Sequence, residues 1–321
     1  MAVITKLSKS AIIESANQFG IGKVIRYWPA SNGIENTNYF IETENNSEYV
    51  LTLIETGFEP SESMLTILDV ASDAGLPVAS AKKSSSGKSH ITVENRPALL
   101  TKRLDGGHIA SPSKGQCEAI GDFLAKFHLA AKLIQTKSYP RDSNWLQEKK
   151  EFCVPYLSYS SATLLKDTIQ TVSSTLCRND VARLPKGVIH GDLFRDNALF
   201  NTHALSGVID FHHSAIGFWI YDLAVVLNDW CVLESKNKLD EERCRCVLSA
   251  YHQIRPLSEE ELLFLPIFME YGALSFWLSR LLVRIEATEK GISLPGHDPD
   301  AFRRLLIQHR LKPFHITTND L

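Results

Sequence analysis

Apolar positions recur along this chain with two different periods, and the change from one to the other divides it. Ala11 to Phe19 carries its apolar residues at helical spacing and stops at Gly20, which predicts a short amphipathic helix. Lys23 to Pro29, Tyr39 to Thr43 and Tyr49 to Ile54 alternate instead and read as strands, with Asn45-Asn46-Ser47 as the turn between the last two. Pro60 to Ala74 returns to helical spacing, with Met64, Leu65, Leu68 and Ala71 on one side and Gly75 as its stop. Lys82 to Lys88 reads as a polar hairpin tip and Ala98 to Leu104 as a further strand; Asp105-Gly106-Gly107 is a hinge sequence. Beyond it the helical period dominates. Ser113 to Gln135 aligns Ile120, Leu124, Phe127 and His128 on one face, where His128 is expected to be a satisfied core histidine. Phe152 to Leu176, Tyr221 to Val232, Glu259 to Ala287 and Asp300 to Arg310 complete the helical part.

One segment interrupts that helical run. Lys186 to Ile189 is a short apolar approach to His190-Gly191-Asp192-Leu193-Phe194-Arg195-Asp196-Asn197. Ala198-Leu199-Phe200, a polar turn at Asn201-Thr202-His203, and Leu205 to Ile209 then lead to Asp210, predicting a β-hairpin with Asp192, Asn197 and Asp210 at one end. This is a phosphoryl-transfer pattern. An Asp can accept the proton of an attacking hydroxyl, and an Asn five residues on, with a second Asp closing an apolar run, supplies hard oxygen ligands for Mg²⁺. Gly191 stands where protein kinases carry an Arg, and His212 where they carry the last Gly of their metal-binding motif.

On these residues the chain resembles the aminoglycoside phosphotransferase and choline kinase-like family, and within it the bacterial homoserine kinases. The closer likeness rests on Gly33 to Phe40, Tyr49 to Leu53, His190 to Asn197, Gly207 to Phe211, Tyr221 to Ala224, Asn228 to Cys231, Phe276 to Leu281 and Asp298 to Arg304. The resemblance implies an α+β, bilobal protein-kinase-like fold: a small antiparallel-sheet lobe over residues 1–104 that binds nucleotide, and a larger, mainly helical lobe over 105–321 with the catalytic loop and the acceptor site. It implies ATP as co-substrate, Mg²⁺ as cofactor, and the side-chain hydroxyl of homoserine, a step toward threonine, as acceptor. Choline, ethanolamine, hydroxylysine or an aminoglycoside are alternative acceptors, and a catalytically inactive kinase-like binding module is the alternative outside enzymes.

The resemblance also distributes roles. Asp192 is the base, His190 braces the loop, and Arg195 either stabilises the transferring phosphate or pairs with Asp196; Asn197 and Asp210 are the metal ligands. Asn32, Gly33, Asn36, Thr37, Asn38, Thr52, Thr101 and Arg103 are assigned to the nucleotide. The first five come from the loop that covers the phosphates, and Thr52 occupies the place of the usual strand Lys. Lys82, Lys102 and Arg103 are the cations that could replace that Lys. Glu35, His212, Asp229 and Arg280 are assigned to the acceptor, with Asn228, Arg284 and Arg303 as further candidates, and Asp222 supports the catalytic loop or caps its helix. Choline would require an aromatic cage, for which Trp219, Tyr221, Trp230 and Trp277 are available. An aminoglycoside would require an acidic lining, and Asp240-Glu241-Glu242 reads more simply as a solvated turn.

Composition narrows the partners. The 321 residues are 44% hydrophobic and 22% charged with a net charge of −3, which gives no reason to expect nucleic acid or an anionic membrane as partner. No signal-peptide pattern is seen at the N-terminus, and the richest apolar stretch, Leu262 to Val283, reads as a buried helix. All six cysteines are expected to be reduced, and a cytoplasmic location follows. Monomer and homodimer remain equal alternatives.

Overall fold

The computed structural model describes residues 4–30, 36–55, 62–233, 238–291 and 298–321. The chain forms two compact units: Met1–Gly107 with Leu199–His212, and His108–Ala198 with His213–Leu321.

The first unit is built on α1 (Lys9–Gln18), β1 (Val24–Pro29), β2 (Thr37–Thr43), β3 (Glu48–Leu53), α2 (Glu62–Asp73), β4 (Ile91–Val93) and β5 (Arg96–Lys102). The strands make one antiparallel sheet in the order β1-β2-β3-β5-β4. Ser8 starts α1 by accepting a hydrogen bond from the Ala11 amide, 3.1 Å away. Strand alternation then sorts the side chains. Tyr39, Ile41, Leu51, Leu53 and Leu100 bury against Ile12, Ala16 and Phe19. The residues between them, Asn38, Phe40, Val50, Thr52, Leu99 and Thr101, belong to the opposite face, where Asn38 pairs with Thr52 and Thr52 with Leu99 in register.

The second unit contains α3 (Lys114–Ala130), α4 (Ser143–Cys153), α5 (Tyr159–Leu176), the short α6 (Asn179–Ala182) and β6 (Lys186–Ile189). In chain order the predicted hairpin follows as β7 (Ala198–Asn201) and β8 (Ala204–Val208), paired in a two-stranded sheet that belongs, from Leu199 on, to the first unit. Next come β9 (Ala215–Phe218), α7 (Trp219–Trp230), β10 (Val232–Leu233), β11 (Lys238–Leu239), α8 (Glu241–Ile254), α9 (Glu259–Glu289) and α10 (Pro299–Leu311).

The expected boundary at residue 104 differs from these units. The hairpin packs with the first unit because its backbone bonds there: Phe200 and Gly107 exchange hydrogen bonds of 2.9 and 3.1 Å, and the Val208 amide donates to the Pro77 carbonyl at 2.7 Å. Other differences have local causes. The helix expected over Phe152 to Leu176 breaks at Val154–Tyr156, around Pro155, and restarts where Ser158 accepts from the Ser161 amide. Asp240-Glu241-Glu242 is a helix start rather than a solvated turn, since the Asp240 carboxylate caps α8 through the Glu242 and Arg243 amides. Strand β9 pairs with β6 and was not expected. Helix α3 approaches α8 so closely that a Cβ on Gly121 would lie 2.2 Å from the Val247 carbonyl oxygen. Helix α9 is long and apolar enough to cross a membrane, but 78% of its most apolar window is buried inside the protein. All six cysteines are free thiols.

Candidate active site

Helix α7 holds the loop that follows β6. Strand β6 runs into His190, and the loop that follows must present backbone amides and carbonyls to a buried environment, where each needs a partner. The Asp222 carboxylate accepts from the His190 amide at 2.7 Å and the Gly191 amide at 2.8 Å. The Trp230 indole N–H donates to the Leu193 carbonyl at 3.1 Å. Asp229 accepts from the Arg195 amide at 2.8 Å and pairs with the Arg195 guanidinium at 3.0 Å. Asp222 and Asp229 are seven residues apart, which places them on one face of the helix. Gly191 has φ +79°, and a Cβ there would meet the Tyr139 ring at 3.0 Å and the His213 carbonyl at 3.2 Å, so only glycine turns the loop at this point.

Asp222 is itself fully buried. Burial alone would favour its neutral form, yet the hydrogen bonds from His128 and the two amides outweigh it and hold the carboxyl below its ordinary value. His128, also fully buried, has its pKa lowered by desolvation. The pair is therefore a carboxylate accepting from a neutral imidazole: Nε2–H donates to Asp222 at 3.1 Å, and Nδ1 accepts from the Tyr251 hydroxyl at 2.7 Å. His128 is the satisfied core histidine its helical position implied. Asp222 lies inside the first turn of α7, with its carboxylate on the loop, so the cap reading gives way to the supporting one.

Within the loop, the Asn197 amide donates to the Asp192 carbonyl at 2.8 Å and to its carboxylate at 3.2 Å. These two bonds use the amide nitrogen of Asn197. His190 is buried and its Nδ1 accepts from the Asp192 amide at 3.3 Å, a loop-internal contact.

The first unit carries Asp210, His212 and the residues assigned to the nucleotide, while Arg280 lies in the second. Asp210 has φ +66°, a strained conformation for a residue with a side chain. His212 Nε2 lies 3.3 Å from the Asn36 amide nitrogen, and the Asn36 oxygen accepts from the Glu55 backbone amide at 3.3 Å. Asn38, Thr52 and Thr101 share the sheet face opposite α1, and the Thr52 hydroxyl donates to Asn38 at 2.6 Å. Arg103 pairs with Glu48 at 2.6 Å and stacks over Phe40 at 4.5 Å. Asn32, Gly33 and Glu35 lie outside the described residues.

Several assignments need correction. Thr37 points to the other sheet face: fully buried, its hydroxyl accepts from the Ile4 and Thr5 amides and donates to Glu55 at 2.5 Å, so it tethers the N-terminal segment instead of meeting a nucleotide. Burial opposes ionisation of Glu55, but bonds from Thr37, Thr5 and Arg96 prevail and keep its pKa low. Asp229 pairs with Arg195, a partner other than the two weighed for that arginine. Asn228 is buried between His309 and the Met269 carbonyl, and Arg303 pairs with Asp300. Trp219, Tyr221, Trp230 and Trp277 are all at most 4% exposed, so they form no cage around a ligand cation. The loop supports that sequence reasoning missed are Tyr139, whose hydroxyl meets that of Tyr221 at 3.1 Å, and Trp230.

A loop with a carboxylate beside an amide, pinned from behind by a buried aspartate, on a chain that also carries a five-stranded antiparallel sheet, fits a kinase-like phosphotransferase that acts on a hydroxyl group. A family model described as the phosphotransferase enzyme family, APH, matches residues 27–257, and the chain belongs to that family. Among its relatives, a homoserine kinase of Janthinobacterium sp. (strain Marseille) is 33% identical over 308 residues, covering 95% of each chain. A homoserine kinase of Cupriavidus pinatubonensis is 34% identical over 320 residues, again covering 95% of each. Among solved structures, an amicoumacin kinase in complex with AMP-PNP and Ca²⁺ superposes with a TM-score of 0.69 at 16% identity, over 95% of this chain and 92% of the other, a likeness of fold.

Proposed function

We propose that this protein transfers the γ-phosphoryl group of ATP to the side-chain hydroxyl of L-homoserine. The observation that carries the reading is the Asp192–Asn197 contact inside a loop anchored to Asp222; the names of the full-length relatives select the acceptor. In this reading Asp192 orients the hydroxyl and takes its proton. The hydroxyl oxygen forms the new bond to phosphorus while the bond to the bridging oxygen of the β-phosphate breaks.

The donor set suits a magnesium ion. Among the described residues no group of three or more His, Cys, Asp or Glu side chains forms an all-protein cage. One amide oxygen and one carboxylate, from Asn197 and Asp210, match the way Mg²⁺ is held when substrate phosphates and water complete its shell. Bound there, the cation neutralises charge on the phosphate oxygens. Asn36 and Asn38, at the end of the phosphate-covering loop, and Thr52 and Thr101 on the adjoining sheet face then contact the nucleotide. His212, tied to Asn36, places the end of that loop near the residues that follow Asp210. Arg103 lies along the same face but is neutralised by Glu48, so the missing strand Lys is compensated by the metal and backbone amides.

The test is ADP release with L-homoserine, choline, ethanolamine and kanamycin as acceptors. Turnover is expected with homoserine, and turnover confined to one of the other three overturns the reading. Asp192→Ala should lose roughly 10²- to 10⁴-fold in kcat, the usual weight of a positioned base, with Mg-ATP binding retained. An unchanged kcat would remove Asp192 from the role of base.

A further inference from the structure

Just past the end of β3, a buried carboxylate ties the N-terminal segment to the starts of β2 and β5. Glu55 has its side chain 5% exposed. Its Oε1 accepts from the Thr37 hydroxyl at 2.5 Å; its Oε2 accepts from the Thr5 hydroxyl at 2.9 Å and from Arg96 Nε at 2.5 Å. The backbone amide of the same residue donates to the side-chain oxygen of Asn36 at 3.3 Å, and the Asn36 NH₂ group donates to His212 Nε2, also at 3.3 Å. Glu55 thus grips two consecutive residues, Thr37 by its side chain and Asn36 by its backbone. Asn36 carries the contact on to the segment that follows Asp210.

We propose that Glu55 is a positioning residue for nucleotide binding, which fixes the strand entry at Asn36–Asn38 and, through His212, the segment of Asp210. The inference rests on the phosphotransferase reading of the site and adds to it a residue that acts through others.

Alternation supplies the physical link. Thr37 lies on the core face of β2, so Asn38 beside it turns to the opposite face, where Thr52 and Thr101 also lie and where Thr52 donates to it. A turn of Thr37 about the strand axis would carry Asn36 and Asn38 with it. Its hydroxyl prevents that turn: it accepts from the Ile4 and Thr5 amides at 2.9 and 3.0 Å while donating to Glu55. The N-terminal segment is itself anchored, since the Leu7 amide donates to the Tyr39 hydroxyl at 3.0 Å. Stability alone asks for no charge here. Apolar side chains at 37 and 55 would close the end of the sheet as well, and exchanging a buried ion pair for well-packed apolar groups is often neutral or stabilising. What a carboxylate with three donors adds is direction, because each charged hydrogen bond has a narrow geometry. Burial opposes the charge of Glu55 and the three donors outweigh it, so the group is present as the acceptor the network needs. The other end of the chain of contacts has a matching need. Asp210 holds φ +66°, a conformation that persists only where the surroundings over-determine it, and the Asn36–His212 contact two residues on is one such constraint.

The experiment measures Mg-ATP binding by titration calorimetry and steady-state kinetics on the full chain: wild type, Glu55→Gln, Thr37→Val, Thr5→Val and the double variant Glu55→Gln/Thr37→Val. A carboxamide at 55 keeps the shape but turns an NH₂ group toward one of the donors. Kd for Mg-ATP should rise on the order of 10-fold in Glu55→Gln and in Thr37→Val, and roughly threefold in Thr5→Val, which removes a single donor. KM for ATP should rise in parallel, with kcat at saturating ATP within about threefold of wild type. The double variant should bind Mg-ATP as the single variants do, because effects carried through a shared partner do not add. A lower thermal midpoint with wild-type Kd for Mg-ATP in Glu55→Gln overturns the inference, since the network is then only a staple. Losses of affinity that add in the double variant also overturn it. Should Glu55→Gln fail to fold, Thr5→Val decides, and an unchanged Kd there overturns the inference. Binding of ATP is read without an acceptor, so a failure of homoserine as substrate leaves the result standing. A wild-type protein that binds no Mg-ATP overturns the phosphotransferase reading and this inference with it.

Discussion

Asp222→Asn isolates the brace behind the catalytic loop with almost no change in shape. The wild-type carboxylate serves three donors: the amides of His190 and Gly191 and the Nε2–H of His128. A carboxamide offers one oxygen and presents an NH₂ group in place of the other. With that oxygen at the Oδ2 position it retains His190 and His128 but faces Gly191 donor to donor. Turned the other way it retains Gly191, and His128 can adapt by exchanging tautomers with Tyr251 as acceptor, but the His190 amide is then orphaned. Either choice leaves one buried backbone donor without a partner, at about 1–3 kcal/mol. The variant should therefore fold, with stability lower by roughly 2 kcal/mol in urea denaturation. The loop carries Asp192 and Asn197, and a displacement of about 1 Å at a reacting group costs on the order of 10²-fold in rate. A coupled ADP-release assay should show kcat reduced about 100-fold with KM for ATP within about threefold of wild type. Wild-type kcat in a variant that shows the stability loss would refute the reasoning, since the loop would then hold its geometry without Asp222.

Three further outcomes follow from other parts of the molecule. Gly121→Ala places a methyl 2.2 Å from the Val247 carbonyl and must separate α3 from α8; a loss of about 1–3 kcal/mol or more, visible as a lower thermal midpoint, is expected, and an unchanged midpoint would contradict the close approach. Burial lowers the pKa of His309 from 6.5 to about 4. The unfolded chain therefore binds one more proton between those values, and stability is complete above pH 6.5 and falls toward pH 4, by about 3 kcal/mol for this residue. His309→Gln should flatten the slope of stability against pH in that window, and parallel slopes would count against it. Asp210→Ala should abolish the Mg²⁺-dependent part of ATP affinity in titrations with and without the cation, and an unaltered metal dependence would remove Asp210 from the ligand set.

What the sequence revealed and what it hid follow from how far apart the interacting residues lie. Asp192, Asn197 and the hairpin leading to Asp210 stand within nineteen consecutive positions, so local pattern was enough to propose them as a site. The two-period division of the chain located the sheet and most helices, because burial of a strand face or a helix stripe is written into alternation. Thr37 was misassigned although its parity was available: it alternates with Tyr39 and Ile41, both core residues, and so belongs on their face. Helix α8 was likewise legible in the spacing of Cys244, Val247, Leu248 and Tyr251, all buried, but its acidic start imitates a solvated turn. The brace was only half legible. Asp222 and Asp229 at a separation of two helical turns are visible in the sequence, whereas the partner of His128 lies 123 residues away at Tyr251 and the carbonyl taken by Trp230 lies 37 residues back.

The same distance effect explains why the acceptor side of the site was harder to read than the catalytic side. A phosphoryl-transfer loop has one workable geometry, so its residues keep a fixed spacing on one segment. An acceptor site needs only that some cation meet some anion, and any element that reaches the loop can supply it. Arg141 precedes a helix cap, Arg280 sits late in α9, and Phe194 and Phe302 come from two further segments. Their meeting is a product of how the helices pack and of nothing local. On the proposed function the transfer chemistry lies on a contiguous motif, whereas contacts such as those of Arg141 with Phe276 and Arg280 with Phe302 join distant segments that no local pattern links.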